Sequence, residues 1–204
     1  MSDRNAIRRE MRARRRQVAA SARKAAARAF AIKADREHLL QPGRRIAAYL
    51  PYGHEADTSV LISRAWNRGC TLYVPVITHS RDFRMEFVRF TPSTRLRKNV
   101  FGIFEPLFSS SDRIAPLSLD VIFMPLVAFD ARGWRLGSGA GFYDRCLDHL
   151  RPPRMWRRPK LIGLAYSIQE TTLLRPDRWD VPMQAVITET AFLRFSASDQ
   201  GSRA

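Results

Sequence analysis

Asp120-Val121-Ile122-Phe123-Met124-Pro125-Leu126-Val127-Ala128-Phe129 and, five residues later, Arg135-Leu136-Gly137-Ser138-Gly139-Ala140-Gly141-Phe142-Tyr143-Asp144-Arg145 decide how this chain reads. The first segment is an apolar run suited to a buried strand, and Phe142 to Leu150 reads as a helix. Between them stand three glycines at alternate positions. Without a Cβ, such a segment takes left-handed conformations and turns successive N–H groups inward on an anion. A helix start behind it adds the positive end of its dipole. Strand, glycine loop and helix in that order form a phosphate cradle. Arg135, Arg145 and Asp144 at the ends of the loop supply cations for phosphate and a carboxylate suited to Mg²⁺. The plainer alternative is a tight strand-to-helix turn. The loop is neither a Walker loop, which needs Gly-Lys before Ser or Thr, nor a dinucleotide fingerprint, whose third glycine lies three positions after the second.

Working outward, the pattern predicts helices over 4–17 and from Ser21 to about Leu40, the second ended by Pro42-Gly43. A strand follows over Arg44–Leu50, then a polar loop over Pro51–Asp57. Thr58 or Ser59 caps a third helix that Gly69 closes. Thr71–Ile77 reads as a buried strand, 83–90 as a strand with one wet face, and 91–119 gives a weak signal. Lys160–Tyr166 and Val186–Thr188 are the last strands. Strands alternating with helices predict an α/β fold, three-layered and Rossmann-like, with a largely parallel sheet. Ligands in such sheets bind at the carboxyl ends of strands, where Leu50 enters the 51–57 loop and Phe129 leads to the glycine loop. A site built from both suits a nucleotide beside a second substrate.

The chain has 204 residues and a formal charge of +16, and residues 1–40 carry half of it: ten Arg and two Lys against Asp3, Glu10, Asp35 and Glu37. Three explanations stay open for this basic start: a nucleic-acid arm, an organelle-targeting helix, or a helix lending cations to an anionic ligand. No secretory signal is expected, and the longest apolar run, Val121–Phe129, is nine residues and contains Pro125, which excludes a membrane span. Cys70 and Cys146 form no Cys-x-x-Cys and are read as reduced thiols of a cytoplasmic protein.

Each candidate side chain has a duller reading beside it. Glu55 is placed to accept hydrogen bonds from ring amino groups, or else lies on the surface. Met85, Phe87 and Phe101 either line a slot for a flat heterocycle or are core. Arg4 and Arg8, one helical turn apart, suit phosphate oxygens, whereas Arg12 to Arg16 read as a solvated face. His38, His54, His79 and His149 lack metal spacing. Ser138 sits in no Gly-x-Ser-x-Gly and is not a nucleophile. Asp57 and Asp130 read as helix-start and turn residues.

Ile7-Arg8, Tyr49-Leu50-Pro51 followed by Glu55, Val74-Pro75, Gly102-Ile103 with Glu105-Pro106, Pro125 to Asp130, and Arg135 to Arg145 stand in an order that resembles the 5-formyltetrahydrofolate cyclo-ligase (5,10-methenyltetrahydrofolate synthetase) family from Arg4 to about Glu189. The resemblance implies one domain over 1–204, with a helical start over 1–40 and a peripheral tail over 190–204. It implies ATP- and Mg²⁺-dependent cyclisation of 5-formyltetrahydrofolate, with or without a polyglutamate chain, to 5,10-methenyltetrahydrofolate through a phosphorylated formyl intermediate, with release of ADP and phosphate. Arg4, Arg8 and the loop from Arg135 to Tyr143 are implied around the triphosphate, Asp144 on Mg²⁺, and Arg8, Arg135 and Asp144 as the catalytic set. Glu55, Leu50, Met85 and Phe101 are implied at the folate. Departures from relatives are Arg4 where many have Lys, Ala140 where some have Lys, and Gln184 where some have a second metal-associated Asp, with Asp180 nearby but out of register.

Overall fold

The structure, a computed structural model, describes residues 4–79, 84–98, 104–148 and 159–196. Phe101 lies outside the described residues. In chain order the elements are α1 (Arg4–Gln17), α2 (Ala20–Arg36), β1 (Arg45–Ala47), α3 (Ser59–Asn67), β2 (Thr71–His79), β3 (Arg84–Arg89), β4 (Leu96–Lys98), β5 (Phe104–Pro106), β6 (Arg113–Ile114), β7 (Val121–Pro125), β8 (Ala128–Phe129), β9 (Arg135–Leu136), α4 (Phe142–Cys146), β10 (Lys160–Leu164), β11 (Ala185–Ile187) and β12 (Phe192–Arg194). Among the described residues, the main sheet runs β12-β11-β10-β7-β1-β2-β3-β6. Its middle, β11 to β2, is parallel, while β12, β3 and β6 pair antiparallel at the flanks. The expected α/β fold with a largely parallel sheet is present.

Alternation along β7 divides the core. Val121 and Phe123 face a cluster with Phe30 and Ala34 of α2 and Leu61 and Ala65 of α3. Ile122 and Met124 face the opposite cluster with Met85, Phe87 and Leu147, against which Phe142 and Tyr143 of α4 lie. Burying a side chain the size of Phe30 or Phe123 contributes about 1.5–3 kcal/mol. The alanines of α2 let that helix sit close to the sheet. α1 is different, with seven arginines in its 14 residues; it buries Met11 against Val127, Leu136 and Leu174 near the carboxyl end of β7.

Four sequence expectations are revised. The strand expected over Asp120–Phe129 breaks after Pro125, and Ala128-Phe129 pairs with Arg135-Leu136 as a separate hairpin. Proline has no N–H to continue a ladder, and Gln169 Nε2 donates instead to the carbonyls of Leu126 and Val127 at 2.9 and 3.0 Å. The helix after the glycine loop ends at Cys146. Thr58 does not cap α3 with its side chain; its hydroxyl donates to Tyr49 O at 2.7 Å, and Asp57 Oδ1 accepts from Ser59 N at 2.8 Å. Part of the tail expected to be peripheral is the edge strand β12, with Phe195 packed against the second cluster. Among the described residues no helix is long and apolar enough to cross a membrane.

Candidate active site

The carboxyl ends of the three central parallel strands β10, β7 and β1 lie side by side, where sheets of this kind form a crevice. Tyr166 follows β10, Leu126 follows β7, and the loop carrying Tyr49 and Glu55 follows β1. α1 lies across it, with Arg15 Nη1 donating to Leu126 O at 3.3 Å.

The glycine loop borders this crevice with its carbonyls held and its amides free. Arg8 Nε donates to Gly137 O at 3.0 Å, Arg12 Nη2 to Ser138 O at 3.0 Å, and Arg145 Nη1 to Ala140 O at 2.8 Å. Among the described residues, no main-chain N–H from Gly137 to Gly141 finds an acceptor. The backbone needs glycine here: Gly139 has φ +119° and Gly141, at the N-cap of α4, φ +70°. Because α4 has only five residues, little helix dipole stands behind it, and the cradle rests on the loop amides themselves. Burial lowers the Arg8 pKa, and the neighbouring Arg4 and Arg12 cations lower it further. An anion at the loop would relieve that repulsion.

Arg4, Arg8, Arg12 and Arg15 of α1 thus reach carbonyls or carboxylates beyond their own helix. Arg4 Nη1 contacts Asp177 Oδ2 at 2.6 Å, Asp180 Oδ2 at 3.1 Å and Arg175 O at 3.3 Å. Arg8, Arg12 and Arg15 take the loop and Leu126. The reading of Arg12 to Arg16 as a solvated face fails at Arg15, which is 8% exposed. One helical turn places it under the crevice, whereas Arg14 and Arg16 point to solvent.

Arg135 is also placed differently from a phosphate ligand. Its buried guanidinium donates to Val181 O at 2.5 Å and to Asp144 Oδ1 at 2.7 Å, so it fixes the carboxylate at the end of the loop. Val181 N adds a bond of 3.3 Å to the same oxygen. Asp144 Oδ2 accepts nothing from the described residues. Asp180, which the sequence left aside, lies close enough to feel the Asp144 charge; burial raises its pKa, against the N–H of Asp177 and Arg4. Gln184 Oε1 instead accepts from Leu161 N at 2.5 Å and belongs to the pairing of β10 with β11.

Mg²⁺ suits this donor set. The ion is held in nucleotide sites by one or two carboxylates, with phosphates and water completing the shell. Among the described residues no cluster of three or more acidic, His or Cys side chains could enclose a metal alone. Asp144, with a free oxygen beside the amide loop, matches the first case.

The other wall is the Glu55 loop. Tyr49 Oη donates to Ala56 O at 2.7 Å, Tyr166 Oη to Glu55 O at 3.5 Å, and Tyr52 N to Glu55 Oε2 at 3.1 Å. His54 Nδ1 pairs with Arg23 at 2.8 Å. Burial pushes the Glu55 carboxyl above its ordinary value, against the Tyr52 N–H and the Arg15 cation. Leu50 packs on the first core cluster, and Met85 lies in the second with Phe142 and Tyr143. Tyr143 packs against that cluster, its buried Oη has no partner among the described residues, and it lies within electrostatic reach of Glu55 and Arg135. Asp130 is structural, accepting from the amides of Arg132, Trp134 and Leu174 at 3.0 Å each.

A sequence model of the 5-formyltetrahydrofolate cyclo-ligase family matches residues 1–189. The 5-formyltetrahydrofolate cyclo-ligase of Haemophilus influenzae is 37% identical over 142 residues, covering 69% of this chain and 73% of that protein. Its namesake from Escherichia coli strain K12 is 38% identical over 146 residues, covering 70% and 76%. Among solved structures, the 5,10-methenyltetrahydrofolate synthetase of Aquifex aeolicus matches with a TM-score of 0.77 at 26% identity, covering 98% of this chain and 95% of that one.

Proposed function

We propose a reaction from the premise that this chain belongs to the 5-formyltetrahydrofolate cyclo-ligase family. It is an enzyme of folate chemistry, and we read its reaction as closure of 5-formyltetrahydrofolate to 5,10-methenyltetrahydrofolate with consumption of ATP. The formyl oxygen attacks the γ-phosphorus and ADP departs. Nitrogen N10 then adds to the activated formyl carbon and loses its proton, and phosphate leaves with the former formyl oxygen. A formamide oxygen is a poor leaving group, which is why the step needs a phosphoryl donor.

The observation that carries this reading is the run of unpartnered amides from Gly137 to Gly141, whose carbonyls are held by Arg8, Arg12 and Arg145. Such a run is a receptor for a triphosphate. In this reading Arg8 and the loop amides hold the phosphates. Arg4 exchanges its carboxylate partners for them, and Arg135 keeps Asp144 aimed at the loop. Asp144 would hold Mg²⁺, which would supply neutralisation of phosphate charge. Glu55 orients the pterin, Leu50 and Met85 bound its slot, and placement of the two substrates supplies most of the rate. We extend the reading to one cyclo-ligase domain over 1–204 acting in the cytoplasm, in line with Cys70 and Cys146 being free thiols.

The test is the methenyl chromophore. Purified protein with 5-formyltetrahydrofolate, ATP and Mg²⁺ is expected to develop its absorbance, and omission of ATP to abolish it. ATP consumption indifferent to the folate would refute the proposal.

A further inference from the structure

Arg15 is a guanidinium only 8% exposed whose Nη1 reaches Leu126 O at a long 3.3 Å and whose buried Nε–H has no acceptor among the described residues. A buried charged donor left unsatisfied carries its full desolvation penalty. The side chain stands at the carboxyl ends of the central strands, beside Leu126; burial acts on it most strongly, and next the Glu55 carboxylate. A second buried atom without a partner among the described residues, Tyr143 Oη, lies within electrostatic reach of the same Glu55. The Glu55 carboxylate thus lies within electrostatic reach of a guanidinium and a phenol that each carry an unsatisfied polar atom among the described residues.

That combination of donors and acceptors describes a ligand edge. A carboxylate that accepts from the ring N3–H and the 2-amino group of a pterin faces the two donors of a 2-amino-4-oxo pyrimidine. The next atom along the edge is the 4-oxo oxygen, an acceptor. It needs a donor beside the carboxylate, and a cation serves best because it also offsets the buried charge of Glu55. We infer that Arg15 is a substrate-contacting, specificity-determining residue whose Nε–H receives the 4-oxo oxygen of the reduced pterin. The inference rests on the folate reading of the Glu55 pocket.

The test is equilibrium binding, without ATP, of 5-formyltetrahydrofolate and of its analogue with 4-amino in place of 4-oxo, to the full chain and to Arg15→Met and Arg15→Lys. Arg15→Met is expected to weaken the 4-oxo ligand by about 10- to 100-fold, as for loss of a charge-assisted bond at a site built to make it. The 4-amino analogue, whose donor meets a donor in the wild type, is expected to change by less than about threefold, so that the selectivity collapses. A non-hydrolysable ATP analogue should bind all forms alike. Equal losses for both pteridines would make Arg15 merely structural and overturn the inference, as would unchanged affinity for both. If thermal melts show that Arg15→Met does not fold, the selectivity ratio of Arg15→Lys decides in the same way: a fall supports the contact, an unchanged ratio overturns it. Wild-type protein that binds neither pteridine would instead overturn the folate reading itself.

Discussion

The glycine loop and the Glu55 pocket face one crevice, but the first takes its polar groups from five consecutive residues and the second from side chains as far apart in sequence as Arg15 and Tyr166. In the loop the groups proposed to meet a ligand are main-chain amides at exposed or half-exposed positions, where water satisfies them at little cost. In the pocket they are side chains under electrostatic stress, with the Glu55 carboxyl raised by burial and the Arg15 guanidinium partly unpaired. A triphosphate presents dense, generic charge, and a local backbone turn suffices to meet it. A ring with a fixed order of donors and acceptors requires groups placed by the whole fold. Substitutions on the two sides should therefore fail in different ways.

The largest separation is expected from Gly139→Val. At φ +119° a β-branched residue is strained, and its methyls would extend toward Arg8, whose Cζ lies 3.8 Å from the position of a Cβ. The loop must rearrange, and displacing a positioning segment by about 1 Å is enough for roughly 100-fold in kcat/KM. Nucleotide affinity should fall by that order while pteridine affinity measured without nucleotide stays near wild type. Wild-type ATP affinity in this variant would remove the loop from the site and with it the comparison.

Asp144→Asn acts at the seam between the halves and is next in size. Asp144 is the buried Arg135 guanidinium's ion-pair partner, with side-chain exposures of 17% and 3%, so the change touches stability as well as metal use. Removing one charge of a buried pair costs about 3–5 kcal/mol. Arg135 still holds the Val181 carbonyl, and the introduced side-chain amide still offers it an oxygen, which keeps the loss nearer about 1–3 kcal/mol. The Mg²⁺ concentration for half-maximal turnover should rise by at least about tenfold, the factor that goes with loss of roughly 1.4 kcal/mol of binding. A variant with wild-type melting temperature and wild-type Mg²⁺ dependence would show that Asp144 neither balances Arg135 nor serves the metal.

The same contrast explains what was legible before folding was known. Loop residues 135–145 are contiguous and rich in glycine, so the proposal of an anion cradle could be framed from spacing alone, and the alternation of strands and helices placed them at the carboxyl edge of a parallel sheet. Glu55 was legible through its loop. Arg15 was not, since one arginine in the run from Arg12 to Arg16 looks like its solvated neighbours until packing of Met11 fixes which face of α1 turns inward. A helical wheel centred on Ile7 and Met11 was the available signal, because Arg15 continues that i, i+4 series. Arg135 was legible as a cation, but its partner Val181 lies 46 residues away, so its role in holding Asp144 needed the fold. Asp180 lies four residues before Gln184, whose side chain is used up in the pairing of β10 with β11, and only the fold brings the aspartate beside Arg4.

On the pocket side, Glu55→Gln should trade binding for stability. Burial raises the folded-state pKa of this carboxyl despite the attraction of Arg15. Folded protein therefore favours the protonated form more than the unfolded chain does. Stability attributable to Glu55 is fully present below the ordinary carboxyl pKa and is lost as pH rises through the raised one. Glutamine avoids that loss. Its melting temperature should exceed that of the wild type at neutral pH, with the gap closing as pH falls below the ordinary carboxylate range. Pteridine affinity should drop by about tenfold or more, the usual loss for a bond to a charged acceptor, while the ATP analogue binds normally. A gap that widens toward low pH would mean that the carboxylate is stabilised rather than strained in its pocket.

The smallest effect, and the sharpest use of the comparison, belongs to Arg12→Ala. Arg12 is exposed and makes one bond of 3.0 Å to Ser138 O. Losing it frees one loop carbonyl, worth about 0.5–1.5 kcal/mol, so KM for ATP should rise by roughly two- to tenfold. It also removes a cation that crowds Arg8, which works in the opposite direction and keeps the effect modest. Being at the surface, the change should leave stability within about 0.5 kcal/mol of wild type. Arg12 and Arg15 are three residues apart and so share a side of α1, yet one holds the loop and the other enters the pocket. Arg12→Ala should lower nucleotide affinity alone and Arg15→Met pteridine affinity alone. If either substitution moved both affinities by the same factor, α1 would act as a single rigid cover over the crevice, and the division of labour between its arginines would be lost.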